Sequence, residues 1–161
     1  MRNWVIVGAF VTTWVTGPSG LAQEPPFGLQ WGDELISLPK ASQISEMGNI
    51  TTLFYEGDHL PAGFRDIEQI VLKLCKKSGL QQAISASRLL SGEDARRQFG
   101  SAYAEANRRY GRSDDGGPER GTASWSKARV AMFARLAEPG FYRVFIVQDG
   151  PAFEACLKAQ S

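Results

Sequence analysis

SGEDARRQFGSAYAEANRRYG, Ser91 to Gly111, decides the fold. Ser91 is a strong N-cap, because its hydroxyl accepts from a free backbone N–H of the first turn. Glu93 and Asp94 put negative charge where those N–H groups point. Ala95, Phe99, Ala102, Tyr103, Ala106 and Tyr110 recur at helical spacing on one face. Arg96, Arg97, Glu105 and Arg109 fall on the other, as a solvated face does. Gly111 suits the left-handed position after a helix, and Arg108, Arg109 and Arg112 suit its negative end. Small residues between aromatics let this stripe approach a flat partner closely, and a sheet is such a partner.

The flanking segments supply strands. Ile50–Glu56 is rich in β-branched and aromatic residues. Ile67 to Lys76 alternates, with Ile70, Leu72 and Leu74 on one face and Val71, Lys73 and Cys75 on the other. Lys77-Ser78-Gly79 marks a turn into a second alternating run from Leu80 to Ser87. After the helix, Ala123 and Trp125 begin another strand. Ala128, Val130, Met132, Ala134 and Leu136 alternate cleanly, Glu138-Pro139-Gly140 turns the chain, and Phe141 to Val147 alternates again. Pro151 stands near the start of a short final helix that Phe153 and Leu157 are expected to dock. The expected fold class is therefore α+β. It comprises an antiparallel sheet of four to six strands packed against one long helix, with a short C-terminal helix.

Residues 1–22 read as a signal peptide: Arg2 at the start, an apolar run from Trp4 to Val15, then breakers, with a cut after Ala22. The run falls short of the ~20 residues a membrane helix needs, so no stable membrane anchor is expected after cleavage. Residues 23–161 suit a single domain. The chain carries 18 Lys and Arg against 17 Asp and Glu, and loss of Arg2 balances them. No nucleic-acid partner follows from such a charge. The expected location is periplasmic or secreted. There the only cysteines, Cys75 and Cys156, meet an oxidising compartment and pair as a structural disulfide. Without a C-x-x-C spacing, a redox-active pair is the lesser reading.

Phe27 to Gly32 alternates as a first strand would, and Asp33 to Gln43 holds a short helix that Pro39 interrupts. The phrase PFGLQWGDE, Pro26 to Glu34, resembles the opening of small exported bacterial domains. These are helix-backed antiparallel sheets, similar to the small outer-membrane assembly lipoproteins and the β-lactamase inhibitor proteins. The ending DGPAFEAC resembles endings of small exported proteins of α-proteobacteria. The resemblance implies the same sheet-and-helix architecture and brings no catalytic motif. Ser113 to Gly121, with Asp114, Asp115, Gly116, Gly117 and Pro118, reads as a surface loop.

Chemistry-bearing motifs are sparse. There is no phosphate-cradling G-x-x-x-x-G-K-[ST] and no G-x-S-x-G elbow. His59 is the only histidine. Glu56, Asp58 and His59 cluster in a loop, which a small carboxylate-using periplasmic enzyme would need to gather in a cleft; a solvated acidic loop explains them as well. Glu56, Asp58, Asp66 and Glu68 offer the carboxylates of a glycoside-cleaving pair, but spacing does not set two of them across a cleft and surface acids are the default, and Asp114 and Asp115 lack the spaced oxygens of a calcium loop. Neither a metal nor a cofactor is expected.

The informative oddity is aromatic. Phe133, Phe141 and Phe145 fall opposite the aliphatic face that meets the helix, and Arg129, Arg135 and Arg143 rim them. Either the N-terminal segment, with Phe27, Leu29 and Trp31, covers this face, or it is an exposed surface that grips a partner. The leading expectation is a non-catalytic exported binding or scaffold module that works through a sheet face on another periplasmic protein. The alternatives are the small enzyme above and a carrier with an enclosed apolar cavity between helix and sheet.

Overall fold

The structure, a computed structural model, describes residues 26–60 and 66–159. The signal-peptide reading of residues 1–22 lies outside them. Two meanders make the sheet. The first is β1 (Gln43–Met47), β2 (Ile50–Glu56), β3 (Ile67–Cys75) and β4 (Gly79–Ser87). A two-residue strand, β5 (Leu90–Ser91), then leads into α1 (Gly92–Tyr110). The second meander is β6 (Asp115–Gly117), β7 (Thr122–Trp125), β8 (Val130–Glu138) and β9 (Phe141–Asp149), and α2 (Phe153–Lys158) follows. The strand order is β1-β2-β3-β4-β9-β8-β7-β6, with β5 beside β9 and every pairing antiparallel.

The α+β architecture is as expected, but the described residues form nine strands rather than four to six. The additional strands are short. β1 has all five side chains exposed and shows no apolar period, β5 has two residues, and β6 is Asp-Gly-Gly inside the presumed loop. Backbone pairing with a neighbour makes them strands, and their side chains carry no trace of it. Phe27 to Gly32 is not a strand. Phe27, Gly28 and Gly32 sit at φ of 70°, 71° and 95°, which an extended chain cannot accommodate. Leu157 does not dock α2 either: it is exposed, and Phe153 and Cys156 are the buried residues of that helix.

One face of the sheet is covered twice. Over β7–β9, α1 buries Ala95, Phe99 and Ala106 against Trp125, Val130 and Met132. Over β2–β4, the N-terminal segment brings Phe27, Leu29, Trp31 and Leu38 onto Leu53, Ile70 and Leu72. Tyr55 donates its hydroxyl to Pro39 O at 2.9 Å, and burial pushes its phenol above the usual range. The segment is tied to β4 by Gly32 N–H to Leu80 O at 3.0 Å and Leu80 N–H to Asp33 O at 2.8 Å. Gly79 permits that approach: at φ +63°, a Cβ there would lie 2.2 Å from Gly32 O.

The start of α1 is built as the sequence indicates, whereas Gly111 at its end is extended at ψ −171° rather than left-handed helical. Ser91 Oγ accepts from Asp94 N–H at 3.2 Å and donates to Asp94 Oδ2 at 2.8 Å, and Gly111 ends the helix at φ +83°. The Arg97–Glu93 and Arg109–Glu105 pairs are largely exposed, so they contribute little. Ser91→Ala is expected to cost about 1 kcal/mol, read as a lowered urea midpoint at constant m-value. An unchanged midpoint would show that packing alone sets the start of this helix.

Candidate functional site

The face away from α1 carries the site. Directly paired residues of antiparallel strands share a face, so register fixes its composition. One cross-strand row runs Phe54–Val71–Ile84–Val147–Ala131, over five consecutive strands of the sheet. The next row contains Ala86, Phe145 and Phe133. Phe133 and Phe145 stack at 4.9 Å between centroids with 19° between planes. Apart from buried Ala86, all of these side chains are half-buried.

The structure brings together part of the residue set read from the sequence. Phe133 and Phe145 are direct neighbours. Phe141 lies on the same face, four residues along β9 and so about 13 Å away, exposed at the hairpin end. Arg143 is engaged: Nη1 pairs with Glu68 Oε2 at 2.7 Å and donates to Ser87 O at 3.1 Å. It bounds the patch at one end, with Arg135 opposite in register and exposed. Arg129 lies at the other end, beside α2. The cover expected from Phe27, Leu29 and Trp31 is on the opposite face, over β2–β4.

Phe54, Val71, Ile84 and Val147 complete the patch, and the sequence reading did not assign them to it. The alternation of β3 places Val71 opposite its aliphatic face, and the register shift between Lys73 and Leu74 brings Ile84 to the same side. The missing fact was that β4 and β9 are neighbours, which merges two hairpin faces into one.

α2 closes the remaining end of this face. Cys156 is bonded to Cys75, 81 residues away in sequence, and Phe153 lies below Lys73, whose Nζ is 5.8 Å from the ring centroid. Between α2 and the β8–β9 edge lies a pocket of about 350 Å³, lined in part by Arg129, Ala131, Val147, Asp149, Phe153 and Glu154. Gln82, buried in β4, donates from Nε2 to Asp149 Oδ1 at 2.7 Å.

The other candidates do not converge. Glu56, Asp58 and His59 are exposed. Glu56 accepts from Gln69, and the His59 ring is turned to Lys40 O at 3.3 Å. Among the described residues no group of three metal-ligating side chains forms. The helix–sheet interface is filled by Phe99, Trp125 and Met132, each about 2% exposed or less, at the place where a carrier would need its cavity. Comparison with protein-family models, with curated proteins and with solved structures gives no match.

Proposed function

We propose that this protein is a non-catalytic binding module of the cell envelope. It grips a partner protein through the open sheet face centred on Phe133 and Phe145. The observation that carries this reading is the unbroken apolar row Phe54–Val71–Ile84–Val147–Ala131, only partly covered, beside two stacked phenylalanines. A sheet with one face solvated normally presents polar side chains there, and a contiguous apolar patch marks an interaction surface. Aromatic residues at the centre and charge at the rim are the usual anatomy of such an interface. Arg135 has no ion-pair partner among the described residues, so the surface suits apolar side chains flanked by a carboxylate.

The expected setting is the periplasm or the exterior. Residues 1–22 act as the export signal, and the Cys75–Cys156 bond suits an oxidising compartment. The test is photo-crosslinking in cells from positions 71, 133 and 145, with position 108 on the solvent side of α1 as the control. One discrete adduct, common to the three face positions and absent from the control, supports the reading. Adducts that appear equally at position 108, or at none, overturn it. Once the partner is in hand, Phe145→Ser is expected to weaken binding by at least about tenfold, as loss of a central aromatic anchor does, with far-UV circular dichroism unchanged.

A further inference from the structure

The pocket beside α2 has a charge arrangement that the aromatic patch does not explain. Arg129, Asp149 and Glu154 all line it, and none of the three has an ion-pair partner among the described residues. Arg129 and Asp149 are nonetheless backbone neighbours, with Asp149 N–H donating to Arg129 O at 3.0 Å. Opposite charges are thus held in one concavity without neutralising each other, over an apolar floor of Ala131, Val147 and Phe153.

Asp149 is held in place, whereas the Arg129 and Glu154 side chains are exposed. Asp149 takes its hydrogen bond from Gln82, which is 7% exposed and whose Oε1 is buried with no donor. The corner that follows is rigid: Gly150 N–H donates to Gln81 O at 2.6 Å and Ala152 N–H to Gln81 Oε1 at 2.8 Å. A Cβ on Gly150 would lie 2.9 Å from Trp31 Cε3, so no side chain fits there. Arg129 sits at φ +53°, ending the turn Ser126–Ala128. Glycine would hold that left-handed position without strain, yet the chain carries a guanidinium there. Strain retained beside a pocket is a mark of use.

We infer that this pocket binds a small zwitterion, an α-amino acid with an apolar side chain. Its carboxylate meets the Arg129 guanidinium, its ammonium meets Asp149 and Glu154, and its side chain lies on Val147 and Phe153. The volume is at the lower end of the range for small-molecule sites, which suits a ligand of this size. Ala131 and Val147 belong also to the apolar row of the open face, so a protein seated over that row would cover this floor, but the inference needs no protein bound there.

The test is a titration of the folded chain with L-leucine, N-acetyl-L-leucine and L-leucinamide, followed by NMR shifts of the Gly150 and Phe153 amides. Saturable binding of leucine is expected, and blocking either end should weaken it by about tenfold or more, the loss of one charge-assisted contact. Arg129→Gly keeps the turn and relieves its strain, so it should hold or raise Tm while losing leucine binding. Asp149→Asn keeps an acceptor for Gln82 and should lose it too. No saturable shift at ~10 mM leucine, which is weaker than any useful site, would overturn the inference. So would equal binding of the three compounds, dependence on one end alone, or shifts centred away from the pocket. The three-compound comparison needs no variant, so it decides the matter even where a substitution unfolds the chain.

Discussion

Trp125→Ala is expected to lower the free energy of unfolding by about 3–5 kcal/mol, the cost of removing a buried aromatic and leaving a cavity. Trp125 is 2% exposed in β7 and lies beneath the last turns of α1, 5.7 Å from the Tyr103 ring and 6.3 Å from that of Tyr110. It also fastens the helix end. Nε1 donates to Gly111 O at 2.9 Å and to Asn107 Oδ1 at 3.2 Å, and Asn107 Oδ1 in turn accepts from Ser113 N–H at 3.1 Å. Alanine removes the volume and the donor together. Trp125→Phe removes the donor and keeps most of the ring, so its cost should be about 1–2 kcal/mol. Urea unfolding followed by circular dichroism reads both values. Native-state hydrogen exchange should show the alanine variant opening first at the last turns of α1 and at β6. A loss below about 1 kcal/mol for alanine would mean that the helix is not anchored here, since a buried tryptophan cannot be removed from a packed core so cheaply.

Trp125 also shows what could be read from the chain alone. The helix, its cap at Ser91 and its apolar stripe were legible, because side-chain spacing and capping chemistry are local. The two long hairpins were legible for the same reason, β3–β4 and β8–β9 being nine-residue strands, but the register shift between Lys73 and Leu74 was not, and it puts Ile84 and Ala86 on the face away from α1 rather than toward it. β1, β5 and β6 were not legible, because partners on neighbouring strands make them strands and their own residues do not. The site divides in the same way. Phe133 and Phe145 could be placed together, since they lie in one hairpin. Joining them to Phe54, Val71 and Ile84 required the β4–β9 pairing, a contact between residues about sixty apart in sequence. Arg129 could be named as a rim charge, but its place in a pocket depends on where α2 returns, which the Cys75–Cys156 bond fixes.

The Cys75→Ser/Cys156→Ser double variant is expected to lose about 4 kcal/mol of stability, because the bond closes a loop of 81 residues in the unfolded chain. For a chain of this length that corresponds to a fall in Tm of about 8–16 °C. Both cysteines are buried, at 4% and 6% exposure, and with Ile50 they form the small cluster under α2. Other ties hold this corner too. Asn49 Nδ2 donates to Cys156 O at 3.2 Å, Ala152 N–H donates to Gln81 Oε1 at 2.8 Å, and Phe153 packs below Lys73. A six-residue helix has no stability of its own. Reductant should therefore lower the Tm of the native chain by the same amount and leave the double variant unmoved. The loss should be uneven before global unfolding. Amides of α2 should exchange fast, while those of Val147 and Phe145 stay protected, because β9 is paired on both sides, to β4 and β8. Equal Tm for native, reduced and double-variant chains would show that Phe153 packing alone seats α2. In that event the pocket beside it would survive reduction, and leucine titration of the reduced chain would show whether it had.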